Sequence, residues 1–210
     1  MTPAKRLFDI ALALVLGSVL ALPALLIALW ILGAEGRPVF FLSERMQAPD
    51  RAFQLWKFRT MTMAAADSGV SGGDKSRRVT RTGRFLRRLR LDEPQIWNVL
   101  KGDISFVGPR PPLRVYVERF PRLYAEVLRS RPGLAGLATL HFRHHEERLL
   151  APCRTSEETD AVYARRCVPR KARLDLIYQK RRSICGDVRI LAQTIAQVLF
   201  RQKDRKTTGR

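Results

Sequence analysis

IALALVLGSVLALPALLIALWIL, residues 10–32, runs 23 residues without a charge. As a straight helix it measures roughly 35 Å, against a hydrocarbon core of about 30 Å, so it is long enough to cross a bilayer. A secretory signal would have a shorter apolar stretch followed by a small-residue cleavage site. Here Trp30-Ile31-Leu32 prolongs the apolar run, and residues 33–39 do not resemble such a site. The segment therefore reads as a membrane element.

Pro23 divides it into 13 residues before and 9 after. Proline removes a backbone donor and crowds the preceding turn, so a kink or break is expected there. Two topologies follow. A kinked helix crosses once, or a broken one enters and returns to the same face. Lys5 and Arg6 put the N-terminus on the cytoplasmic side. The rest of the chain is more basic still, which favours the re-entrant form.

Outward from this segment, the chain carries 39 Lys and Arg against 19 Asp and Glu, a net charge of +20. Such an excess calls for an anionic partner: nucleic acid, anionic lipid or a phosphorylated substrate. Cys153, Cys167 and Cys185 form no CxxC pair, so neither a disulfide framework nor a zinc site is indicated. They read as reduced thiols.

Short strands are expected at 37–42 and 53–59, with 47–51 as the turn between them. An extended 53–59 puts Lys57 and Arg59 on one face. Residues 64–75 read as a loop. A helix capped by Thr82 ends near Leu91, and another begins at Pro94 and ends at Gly102. Helical pieces follow at 113–128, broken by Pro121, and at 161–182. Residues 187–201 form an amphipathic helix that suits either a core or a membrane interface. His141, His144 and His145 lack a second ligand cluster and read as a loop or substrate edge, not a metal site.

Eight of the sixteen residues 75–90 are basic, almost all arginine. Their planar forks suit phosphate oxygens, although a solvated or lipid-facing surface has the same composition. Asp92-Glu93 follows directly. Two carboxylates at a helix start commonly cap it. Among arginines, however, one stays ionised and can attack phosphorus, while its neighbour can hold Mg²⁺.

Several strings, in order, resemble the small monotopic phosphoglycosyl transferases, also called bacterial sugar transferases. They are Lys5-Arg6-Leu7-Phe8-Asp9, Lys57-Phe58-Arg59-Thr60-Met61, Thr82-Gly83-Arg84-Phe85-Leu86-Arg87, and Leu91-Asp92-Glu93 with 94–103. Val107-Gly108-Pro109-Arg110-Pro111, Arg131-Pro132-Gly133, Leu174-Asp175 and Tyr178 complete the set. The match covers about residues 5–200.

The resemblance implies an α+β fold: a mainly helical cytoplasmic domain with short strands, plus a proline-broken re-entrant membrane helix. It divides the chain into a membrane helix with flanks (1–36), a catalytic domain (37–202) and a basic tail (203–210). It implies transfer of a sugar-1-phosphate from a UDP-sugar to a polyprenol phosphate such as undecaprenyl phosphate, with release of UMP. The transfer would start a surface glycan such as exopolysaccharide or O-antigen, at the cytoplasmic face of the bacterial inner membrane. Asp92 becomes the nucleophile that carries the phosphosugar, Glu93 the Mg²⁺ ligand, and Lys57, Arg59, Arg84, Arg87 and Arg110 the phosphate binders. Expected partners are the UDP-sugar, the polyprenol phosphate and membrane lipids, with a homo-oligomer left open and nucleic acid not expected.

The sequence departs from the family pattern in four places. Glu93 abuts Pro94 with no residue between, which pushes Glu93 out of the helical region. Gln47-Ala48-Pro49-Asp50 replaces a glycine-containing turn. Leu22 precedes Pro23 where serine is common, and residues 135–139 lack the usual threonine, tryptophan and glutamine. Two other readings stand beside the active enzyme: an impaired member acting as a membrane-bound assembly partner, and a membrane-anchored nucleic-acid binder. The latter lacks any recognised binding motif.

Overall fold

The structure, a computed structural model, describes residues 1–62, 78–89, 91 and 94–207. The chain is mostly helical with short strands, as the composition and patterning indicate.

Helix α1 spans Pro3–Glu35. Thr2 caps it, accepting a bond from the Lys5 amide at 3.3 Å, with Pro3 in the first turn. Gly36 ends it at φ 73°, a conformation in which a side chain would be strained. The helix runs through Pro23 without interruption, so the expected break does not divide it. A proline costs one intrahelical bond, and here both flanking halves are held by packing. Ala13, with Leu12 and Leu16, joins the main core, while Ile31, with Ala24, Ile27 and Ala28, packs on Phe58 and Leu86. Within α1, an apolar window long enough to cross a membrane has a mean hydropathy of 2.7 and is 6% buried.

Strands β1 (Phe40–Ala48) and β2 (Arg51–Phe58) pair antiparallel around Pro49-Asp50, so the turn falls where 47–51 predicted it. A bulge leaves Gln47 out of the ladder. Its amide donates to the carbonyls of Gly102 at 2.9 Å and Asp103 at 2.7 Å, tying the hairpin to the next layer. Beyond β2, Met61 bridges Val79, and the Thr62 amide donates to the Arg78 carbonyl at 2.9 Å. The loop expected at 64–75 lies outside the described residues.

Helix α2 (Arg81–Leu89) starts one residue before the predicted Thr82. The capping hydroxyl is that of Thr80, which accepts from the Gly83 amide at 2.9 Å. Helix α3 (Ile96–Lys101) starts after Pro94 and closes at Gly102 with φ 85°. Strands β3 (Ser105–Val107) and β4 (Gly133–Ala135) pair in parallel. Between them lie α4 (Arg114–Arg119) and α5 (Pro121–Val127), divided at Pro121 as expected.

Helix α6 (Leu137–Leu150) carries all three histidines, so they stand on a helix where a loop or substrate edge was expected. Helix α7 (Ser156–Val162), a π turn at Tyr163–Cys167 and α8 (Val168–Arg181) follow. Helix α9 spans Ile184–Thr207.

The main core gathers Phe53, Leu55, Val99, Ile104, Phe106, Val107, Tyr178 and Ile190 around β3. Glycine permits one close crossing here. A Cβ on Gly108 would lie 2.2 Å from the Arg131 carbonyl oxygen, and one on Gly136 would lie 2.3 Å from that of Gly108. The two glycine-proline loops are thereby held together.

Both ends of α1 are fixed to this one body. At its start, Lys5 pairs with Asp187, and Arg6 donates to the Val99 and Leu100 carbonyls, each at 2.6 Å. Those carbonyls are in the last turn of α3, where a cation also complements the helix dipole. Asp9 accepts from the Phe106 amide at 3.3 Å. At its end, Arg59 grips the carbonyls of Glu35, Gly36 and Arg37 at 2.7, 2.9 and 3.0 Å.

Candidate active site

Asp92 and Glu93 lie outside the described residues, but their flanks do not. On one side, the Leu91 amide donates to the Leu86 carbonyl at 3.0 Å, which folds the chain back on the end of α2. On the other, Pro94 lines a groove with Trp56 and Phe58 of β2. Asn98 fixes that approach. It is fully buried, accepts from the Trp56 amide at 3.1 Å and donates to the Gln54 carbonyl at 2.8 Å and to Asp103 at 2.9 Å. The described flanks of the acidic pair thus lie against the end of the arginine helix and beside β2, the strand that carries Lys57.

Helix α2 is pressed on the chain that follows β2. A Cβ on Gly83 would lie 2.1 Å from the Thr60 carbonyl oxygen, so a side chain there would push the helix away. Thr60 also receives the Arg87 Nε at 2.8 Å. Arg84 and Arg87 are both exposed, and the Arg84 side chain has no hydrogen bond or ion pair among the described residues. Lys57 is half-buried, opposite Phe41 in the hairpin.

Arg59 sits apart from this set. It is 8% exposed, and both terminal nitrogens are taken by carbonyls at and just past the end of α1, with the Glu35 carboxylate at 3.8 Å. In this arrangement it is a clamp on the membrane helix.

Arg110 is exposed in the loop after β3, close enough to Lys171 to disfavour its charge. Lys171 is buried and donates to Glu146 at 2.9 Å and the Tyr163 hydroxyl at 3.2 Å. One turn along α8, Asp175 is buried with one carboxylate oxygen unpartnered among the described residues. Burial pushes its carboxyl up to about 7, against the pull of Lys171. Tyr178 continues the same face, its hydroxyl 2.8 Å from Asp187 and 3.1 Å from the Val107 carbonyl. Burial and then Asp187 raise its pKa.

The cysteines are free, and burial pushes the Cys167 thiol up to about 11, which makes it unreactive. Among the described residues, no three His, Cys, Asp or Glu side chains gather into a metal cage. The expected Mg²⁺ ligand, Glu93, lies outside the described residues.

Beside Pro94 opens an apolar groove of about 470 Å³. Its walls come from α1, from aromatic residues of the hairpin, and from the start of α3.

The bacterial sugar transferase family model matches residues 1–201. The chain belongs to the bacterial sugar transferase family. It is 34% identical over 204 residues to the uncharacterized sugar transferase EpsL of Bacillus subtilis, covering 97% of this chain and 91% of that one. It is 40% identical over 142 residues to the UDP-N-acetylgalactosamine-undecaprenyl-phosphate N-acetylgalactosaminephosphotransferase of Aeromonas hydrophila, covering 64% of this chain but 33% of that protein. A third relative, the UDP-glucose:undecaprenyl-phosphate glucose-1-phosphate transferase of Caulobacter vibrioides, is 33% identical over 201 residues, 93% of this chain and 69% of its own. The chain thus spans about a third of the Aeromonas relative and most of the Bacillus sugar transferase.

Two features of this sugar transferase escaped sequence reading. Lys5, counted there as a cytoplasmic surface charge, is buried against Asp187. The Lys171–Glu146 pair joins α8 to α6, and nothing local in either string signals it.

Proposed function

We propose that this sugar transferase moves a sugar-1-phosphate from a UDP-sugar to undecaprenyl phosphate and releases UMP. The observation that carries the reading is the setting of the chain on either side of the Asp92-Glu93 segment. Its two flanks are fixed where α2, with Arg84 and Arg87, approaches the strand bearing Lys57 and an apolar groove along α1. The names of the Aeromonas and Caulobacter relatives, both transferases that use undecaprenyl phosphate, support the same substrates.

In this reading an Asp92 carboxylate oxygen attacks the sugar-bearing phosphorus. The bond from that phosphorus to the bridging oxygen breaks, and UMP leaves with the electron pair. The phosphosugar is then an acyl phosphate on Asp92. A phosphate oxygen of the lipid attacks the same phosphorus, Asp92 departs as carboxylate, and the lipid carries a diphosphate-linked sugar. Lys57, Arg84, Arg87 and Arg110 hold the phosphate oxygens as charge moves among them. Glu93 would hold Mg²⁺, which when bound would neutralise charge on the diphosphate. Arg59 serves the site indirectly, by fixing the exit of α1.

We place the protein in the bacterial inner membrane with both ends of α1 on the cytoplasmic side. The helix is about 50 Å long, yet its first and last turns grip one body. A membrane lying across the middle of α1 would have to cut through that body. A helix that dips in and returns, or lies along the interface, avoids this. The lipid product starts a surface glycan.

The test uses the full chain in nanodiscs with UDP-glucose, UDP-galactose and their N-acetylhexosamine counterparts. UMP should appear with one of them, in step with lipid product, and should stop when EDTA is added. Absence of UMP with all four would contradict the reading and favour the impaired assembly partner.

A further inference from the structure

We infer that the groove beside Pro94 holds the phosphate-proximal isoprene units of the acceptor lipid. This rests on the reaction proposed above, since it names where that acceptor lies.

The groove exists because of what α1 lacks. Ala24 and Ala28, one turn apart, remove side-chain bulk from the face that meets the hairpin. Opposite them stand Trp56 and Phe58 of β2. Phe40 of β1 packs on both, edge-on to Trp56 and stacked on Phe58, with centroids 5.3 Å apart in each case. The rings support one another, so the wall keeps its shape when nothing fills it. Trp97, 55% exposed on α3, forms the open rim.

Four observations favour a lipid chain over a soluble ligand, and this lipid over others. The lining is carbon-rich, with no charged side chain among the described residues that form it. One wall is α1, whose outer face is a continuous exposed apolar surface from Leu14 to Leu32, so the groove opens directly to the membrane interior. Pro94, the residue after the carboxylate pair, also lines it. An acceptor phosphate at the pair must send its chain toward the membrane, and the groove is the apolar path between those points. A row of flat rings also suits planar, methyl-branched units better than a thin, unbranched acyl chain.

The experiment measures binding and turnover separately, in nanodiscs containing the full chain. Tryptophan fluorescence is titrated with undecaprenyl phosphate and, in parallel, with dioleoyl phosphatidate of similar charge. Undecaprenyl phosphate should change the emission saturably and phosphatidate should not. Trp97→Phe should remove most of the change. Equal responses to the two lipids would overturn the assignment.

In steady-state kinetics, Ala28→Phe and Trp97→Ala should each raise the KM for undecaprenyl phosphate tenfold or more, with the KM for the UDP-sugar within twofold. An unchanged acceptor KM in both variants, or equal rises in both KM values, would contradict it. Trp97 is exposed, so its variant reports even if Ala28→Phe misfolds. If the wild type binds undecaprenyl phosphate selectively but releases no UMP, the groove stands and the proposed reaction falls.

Discussion

Lys5 and Asp187, 182 residues apart, form a buried ion pair that joins the first turn of α1 to the first turn of α9. Asp187 also lies 2.8 Å from the Tyr178 hydroxyl, which reaches the Val107 carbonyl of β3. The membrane helix is thus built into the domain that it anchors. Removing one partner leaves a charge buried alone, at a cost of about 3–5 kcal/mol. Lys5→Ala and Asp187→Ala should both lower the melting temperature sharply in detergent. Lys5→Met with Asp187→Leu should recover most of it. A single variant as stable as wild type would refute the role of the pair.

Asp175 predicts a pH dependence. Its carboxyl titrates near 7 in the fold, against 3.8 ordinarily. Between those values the folded chain holds a proton that the unfolded chain has lost. Stability therefore falls as pH rises from about 4 to 7, and the loss is complete above that window. The shift corresponds to about 4 kcal/mol. Asp175→Asn should be more stable than wild type at pH 8 and equal to it at pH 4. An asparagine variant that keeps the wild-type slope would contradict this.

Arg59 and Arg87 should separate by experiment although they fall in similar basic motifs. Arg59 holds three backbone carbonyls. Arg59→Ala should cost about 2–3 kcal/mol of stability, with the KM for UDP-sugar within twofold. Arg87 is exposed and bonded only to Thr60 among the described residues. Arg87→Ala should lower kcat/KM at least tenfold and leave the melting temperature within a few degrees. The reverse pattern would exchange their roles.

Topology can be read by labelling. In a chain whose three native cysteines are replaced, single cysteines at Met1 and at Arg37 should react with an impermeant maleimide from the cytoplasmic side of inverted membrane vesicles. Labelling of the two from opposite sides would rule out the re-entrant reading.

What the sequence disclosed follows what its signals mean physically. Proline and glycine act locally, so Pro49-Asp50, Pro121 and Gly102 marked a turn, a helix division and a helix end correctly. The β3–β4 pairing was invisible, because three-residue strands are too short for an alternating pattern. Helix α6 was missed where polar and histidine residues blur its periodicity. Lys5 and Arg59 show a different limit. A lysine near a membrane segment suits the cytoplasmic surface and a buried aspartate equally, and an arginine fork suits carbonyls as well as phosphate. Long-range partners decide between such readings, and a string of residues does not display them. The motifs of the candidate site fall close together in the chain, at 57–60, 82–87 and 91–98, so the string itself displays them side by side.

The nucleophile is the central claim, and intact-mass analysis tests it most directly. The protein is mixed with its UDP-sugar without acceptor, quenched in acid, and the adduct is mapped by peptide fragmentation. The account predicts a mass increase of one hexose or N-acetylhexosamine phosphate on Asp92, absent in Asp92→Asn and discharged by undecaprenyl phosphate. An adduct on another residue, or full turnover by Asp92→Asn, would contradict it.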